Sequence, residues 1–138
     1  MVTLHCLNYI KMGILSDNTL LIVDDSQLII ERLMDSLKDH NTIKKILTAT
    51  GYKEAVDILG KKKTDIVLLD IQLSGENGID LLKFIVKEYP DIKVVMCSNL
   101  SNDYYKKLCK KIGARYFVDK SKDFELIPDI LFSIWSLE

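Results

Sequence analysis

The sequence predicts an α/β fold: a doubly wound parallel sheet of five strands flanked by five helices. Two observations carry that expectation. Short apolar runs alternate along the chain with segments whose apolar residues recur at helical spacing, the pattern of strands joined by crossover helices. Four of the five runs also end in polar residues, namely Asp24-Asp25, Asp70, Ser98 and Lys120. In an open parallel sheet, ligands gather outside the carboxyl ends of the strands. Right-handed crossovers leave few topologies at this size.

Leu20 to Asp24 reads as a short strand buried on both faces. Ser26 is a candidate N-cap, followed by Ile30, Leu33, Met34 and Leu37 on one helical face, with a break at Asn41. Lys45 to Thr48 is a weaker strand. Tyr52 to Leu59 places Ala55, Ile58 and Leu59 on one face, and Gly60 is expected to stop that helix. Asp65 to Asp70 carries the strongest strand signal, and Ser74 to Gly78 is a loop by composition. Ile79, Leu82, Ile85 and Val86 mark the next helix, ended by Pro90. Lys93 to Cys97 is a strand. Ser101 is expected to cap a helix burying Tyr105, Leu108, Cys109 and Ile112, with Gly113 as its left-handed stop. Arg115 to Val118 is the last strand. Leu126, Ile127, Ile130, Leu131 and Ile134 form the stripe of the final helix, with Pro128 in its first turn.

A chain of 138 residues is the size of one ordinary domain, and 48% apolar residues suffice for a core. A net charge of −1 creates no field toward nucleic acid or an anionic membrane, so neither is an expected partner. Cys6, Cys97 and Cys109 lack zinc-site spacing and read as reduced residues of a cytoplasmic protein. No stretch approaches the roughly 20 apolar residues of a membrane span. Met1 to Asn18 lacks the features of a signal peptide and reads as a flexible extension ahead of a domain at 19–138, with Met12 a second possible start. His5-Cys6 within it is an incidental pair.

Singly, an Asp, Ser or Lys after a strand is a common turn or cap residue. The joint pattern is what matters, because three carboxylates, a hydroxyl and an ammonium suit a divalent metal and a phosphoryl group. In order, placement and spacing, Asp24-Asp25, Asp70, Ser98 and Lys120, together with Gly78 and Gly113-Ala114, resemble the receiver domain of bacterial response regulators, the CheY-like family. The resemblance covers about Leu20 to Leu137 and implies the flavodoxin-like strand order 2-1-3-4-5. It implies that Asp70 accepts a phosphoryl group from a phosphohistidine on a sensor histidine kinase or histidine phosphotransfer protein. It further implies Mg²⁺ bound directly by Asp25, Asp70 and the backbone carbonyl of Gln72, with Asp24 acting through a water. Physics agrees: carboxylates about 4 Å apart repel by roughly 4 kcal/mol per pair at an effective dielectric near 20. A hard cation with oxygen ligands relieves that.

By the same resemblance, Lys120 and Ser98 contact the transferred phosphoryl group. Phe117 is then the switch aromatic that follows Ser98, against a simple core role. No activity is expected beyond the chain's own phosphorylation and dephosphorylation. Its output would be a downstream protein, or a homodimer, docked on the face of the fourth helix, fifth strand and fifth helix. Tyr104 and Trp135 are candidate aromatics there, with core burial the other reading of Trp135. The alternative function is an interaction module of the same fold that is independent of phosphorylation.

Three residues depart from the family pattern. Ser74 and Ser121 stand where proline is usual, and Asn99 where a small residue is usual. The Lys120-Ser121 bond is left open as cis or trans. Other classes fit worse. A dehalogenase-type phosphatase wants a second Asp where Gln72 stands, a dinucleotide site wants GxGxxG after the first strand, and a P-loop is absent.

Overall fold

The computed structural model describes residues 18–39 and 43–137. The elements run β1 (Thr19–Val23), α1 (Gln27–Leu37), β2 (Lys45–Ala49), α2 (Tyr52–Lys61), β3 (Ile66–Leu69), α3 (Gly78–Glu88), β4 (Lys93–Ser98), α4 (Asp103–Ile112), β5 (Tyr116–Asp119) and α5 (Ile127–Leu137). A small antiparallel hairpin, Gln72–Leu73 with Glu76–Asn77, precedes α3, and a 3₁₀ turn, Phe124–Leu126, precedes α5. All five main strands pair in parallel in the order β2-β1-β3-β4-β5. That is the predicted topology, with its order reversal between β1 and β3.

The alternation of side chains along each strand divides the core in two. Leu21, Val23, Val67, Leu69, Val94 and Met96 pack with residues of α2, α3 and α4. Leu20, Ile22, Ile66, Leu68, Val95 and Cys97 pack with residues of α1 and α5. Both faces of β1 and β3 are therefore covered, which is why their sequences are unbroken apolar runs. Burying each such Leu or Ile contributes about 1.5–3 kcal/mol. The same burial pushes the Cys97 thiol up to about 12. Cys97 and Cys109 are free, buried thiols, as expected; Cys6 lies outside the described residues.

Local sequence accounts for most boundaries. The Ser26 side chain accepts from the Ile29 N–H and caps α1. Asn77 does the same for α3 through the Ile79 N–H at 2.8 Å. Pro128 is the second residue of α5, where its missing N–H costs nothing. Gly113, at φ +141°, ends α4 and lies against Val86 of α3.

Four expectations need correction. The cap of α4 is Asn102, accepting from the Tyr105 N–H, because Ser101 is drawn elsewhere by a stronger acceptor. Gly60 does not stop α2, which continues to Lys61 and ends where Lys62 turns extended. Met34 and Leu126, placed on buried faces, are exposed. Asn18 is not part of an extension: it is buried, and its carbonyl accepts from the Lys44 and Lys45 N–H groups. The rest of the predicted extension lies outside the described residues. Of the two aromatics proposed for the output face, Tyr104 is exposed and Trp135 is buried.

Candidate functional site

The carboxyl ends of β1, β3, β4 and β5 bring the predicted residues to one end of the sheet. Asp24 and Asp70 directly follow β1 and β3, strands held in register from Leu20↔Ile66 to Val23↔Leu69. The Asp70 N–H donates to the Val23 carbonyl at 3.1 Å, so the two acids sit side by side. Lys120 follows β5, and its N–H donates to the carbonyl of Ser98, the last residue of β4. From there its side chain passes the end of β4, and its ammonium bonds both Asp24 Oδ2 and Asp70 Oδ2 at 2.7 Å.

Asp24 and Asp70 are buried while Asp25 is exposed. Each acid is held. Asp24 Oδ1 accepts from the Ser26 N–H at 2.9 Å. Asp70 Oδ1 accepts from the Gln72 N–H at 3.3 Å. Asp25 Oδ2 accepts from the Ser74 hydroxyl at 2.9 Å, a bond the usual proline could not make. Burial raises the Asp24 carboxyl above its usual range, against the lowering by the Lys120 and Ser26 hydrogen bonds. Burial acts to lower the Lys120 ammonium, but its bonds to Asp24 and Asp70 outweigh this and raise it. Two buried carboxylates share one cation, so the site holds excess negative charge.

One oxygen each of Asp24, Asp25 and Asp70 lies within 4.8 Å of the others. All-oxygen donors of this charge, open to solvent on the Asp25 side, fit a hard divalent metal. Ser98 is fully buried, with its Oγ accepting from the Leu100 N–H at 3.1 Å. Phe117 is half-buried in β5 and packs on the α2–α3–α4 side of the sheet.

Gly78, at the start of α3, completes the scaffold. A side chain there would put its first carbon 1.9 Å from the Asp70 carbonyl oxygen. Its N–H bonds the Ile71 carbonyl. Helix α3 therefore begins directly on the backbone that presents Asp70.

A strand-end acid with a lysine across the sheet, two further carboxylates and a buried serine at the neighbouring strand is the receiver arrangement, and the response regulator receiver domain matches residues 20–132. The chain belongs to this family. The receiver is similar to the chemotaxis protein CheY of Thermotoga maritima, 36% identical over an alignment of 109 residues, with 72% of this chain and 82% of that protein covered. It is also similar to a protein-glutamate methylesterase/protein-glutamine glutaminase of Clostridium acetobutylicum, 33% identical over 77% of this chain. The match spans about a third (32%) of that longer protein. Among solved structures, a CheY-like receiver domain protein of Methanospirillum hungatei superposes with a TM-score of 0.80 at 20% identity, covering 88% of this chain and 96% of that one. Receiver membership makes the chain a phosphoacceptor component of two-component signalling.

One residue, Asp119, and one bond, between Ser121 and Asn99, escaped the sequence reading beside the receiver site. Asp119 is the last residue of β5 and is buried. Its Oδ1 accepts from the Ser121 N–H at 2.8 Å and the Lys122 N–H at 3.0 Å, and its Oδ2 accepts from the Ser101 hydroxyl. The Ser101 bond first, then the Lys122 N–H, holds its carboxyl below the usual range. Secondly, the Ser121 hydroxyl donates to Asn99 Oδ1 at 2.7 Å. The only available signal was an acid directly before Lys120. The peptide bonds of the described residues, Lys120-Ser121 included, are all trans.

Proposed function

We propose that Asp70 is the residue phosphorylated. The observation that carries this is its placement: a buried strand-end carboxylate, bonded to Lys120 and flanked by Asp24 and Asp25. In the proposed transfer, a carboxylate oxygen of Asp70 attacks the phosphorus of a phosphohistidine on a sensor histidine kinase or histidine phosphotransfer protein. The P–O bond forms as the P–N bond breaks, leaving an aspartyl phosphate and a free histidine. Lys120 shifts one of its hydrogen bonds to a phosphoryl oxygen and offsets the developing charge. The Ser98 hydroxyl moves toward the site to donate to another, and Phe117 moves into the space this leaves.

Asp24, Asp25, Asp70 and the Gln72 carbonyl are the residues that would hold Mg²⁺, which when bound supplies charge neutralisation for the carboxylates and the phosphoryl oxygens. The arrangement calls for nothing beyond the chain's own phosphorylation and dephosphorylation. The signal leaves through the face of α4, β5 and α5, to a downstream protein or a second copy of the chain. Exposed Tyr104, Tyr116 and Phe132 on those elements support that choice. Among the described residues no helix is long and apolar enough to cross a membrane, and we place the receiver in the cytoplasm with its kinase.

Incubation with Mg²⁺ and acetyl phosphate should add one phosphate by intact mass, absent from Asp70→Asn and absent with EDTA. A phosphate that persists in Asp70→Asn would place the acceptor elsewhere.

A further inference from the structure

Two of the three departures from the family pattern, Asn99 and Ser121, are bonded to each other at 2.7 Å. A second bond runs parallel to it, from the Ser101 hydroxyl to Asp119 Oδ2. Both start in the loop after β4; one reaches Asp119, the last residue of β5, and the other Ser121 in the loop that follows it. Ser98 and Asp119 are partners in the β4–β5 ladder, and the bond from the Lys120 N–H to the Ser98 carbonyl continues that pairing to the strand end. Asn99–Ser121 carries the ladder onward through side chains past the last backbone pair, and Ser101–Asp119 ties the loop after β4 back to the end of the ladder. Asp119 anchors its own end of this lacing through the Ser121 and Lys122 N–H groups.

The lacing encloses Ser98. Its Oγ faces the Leu100 N–H, inside the four-residue loop that Asn99 and Ser101 fasten. As that hydroxyl moves toward the site to donate to a phosphoryl group on Asp70, its bond to the Leu100 N–H draws on the loop that the bond shapes, and the loop adjusts. Any lacing bond lost in the adjustment favours the unphosphorylated arrangement, in which Lys120 holds both Asp24 and Asp70.

We propose that Ser101, Asp119, Asn99 and Ser121 are positioning residues that latch Ser98 and Lys120 in the resting arrangement. This rests on Asp70 being the phosphoryl acceptor. The test uses beryllium fluoride with Mg²⁺, a non-covalent mimic of the aspartyl phosphate, so that binding is read at equilibrium. Wild type, the double variant S101A/S121A, and S101T, which keeps the hydroxyl, are titrated by calorimetry with ¹⁹F NMR of the bound species.

Two hydrogen bonds of ordinary net strength correspond to roughly a tenfold effect or more. The latch therefore predicts that S101A/S121A binds beryllium fluoride about tenfold more tightly, with S101T close to wild type. Because these loop hydroxyls carry no core packing, a merely structural role predicts a lower melting temperature with unchanged or weaker binding, and that result overturns the latch. If wild type binds no beryllium fluoride at all, the reading of Asp70 fails and the latch falls with it. Binding by wild type with no gain in the double variant removes the latch alone.

Discussion

A carbon added at position 78 would stand 1.9 Å from the Asp70 carbonyl oxygen and 2.8 Å from its carbonyl carbon. The nearest atoms are all backbone of Asp70 and Ile71, so no flexible side chain is there to give way. Gly78→Ala should cost more than the 1–3 kcal/mol usual for overpacking, read as a lowered urea midpoint. A stability within about 0.5 kcal/mol of wild type would contradict the close approach. At this scale the site was largely legible, because Asp24, Asp25, Asp70, Ser98 and Lys120 each follow an apolar run and carry their chemistry in their residue type. Ser74, Ser101, Asp119 and the Asn99–Ser121 pair were not. Their roles are partnerships across 18 to 49 residues, and residue type alone does not name a distant partner.

Helix starts show where local rules suffice and where they compete. Ser26 and Asn77 cap α1 and α3 as short polar side chains do. At α4 two adjacent candidates were present, and the Asp119 carboxylate decided between them by taking the Ser101 hydroxyl, leaving Asn102 to cap. Asn102→Ala should therefore cost about 1 kcal/mol and speed amide exchange at Tyr105, whereas Ser101→Ala should leave the Tyr105 amide protected. The reverse pattern would return the cap to Ser101. The strands and the five helices were legible from periodicity. The hairpin at 72–77 and the 3₁₀ turn at 124–126 were not, since elements of two or three residues are shorter than any period. Gly60 misled because nothing packs against it, so an exposed helix simply runs through it.

Across the whole molecule, stability and signalling draw on the same charges. The Asp24 carboxyl is raised above its reference value of 3.8 by burial. A raised acid contributes fully below its unfolded pKa and loses that contribution as pH rises through its folded value, so ionised Asp24 destabilises the fold at neutral pH. Asp24→Asn should accordingly melt higher than wild type at pH 7 in EDTA, and added Mg²⁺ should narrow the gap by stabilising wild type more. A variant that melts lower in EDTA would reverse that sign. Topology was legible at this scale because buried parallel strands are continuous apolar runs, while the balance of charge in the site depends on burial, which composition does not report. The ion pair between Lys120 and Asp24 spans 96 residues and that with Asp70 spans 50. A contact of such sequence separation forms only after the intervening loops have closed. During synthesis, then, a chain that still lacks its fifth strand has two crowded acids and no lysine between them, so the proposed phosphoryl-accepting site is assembled only once the sheet is complete.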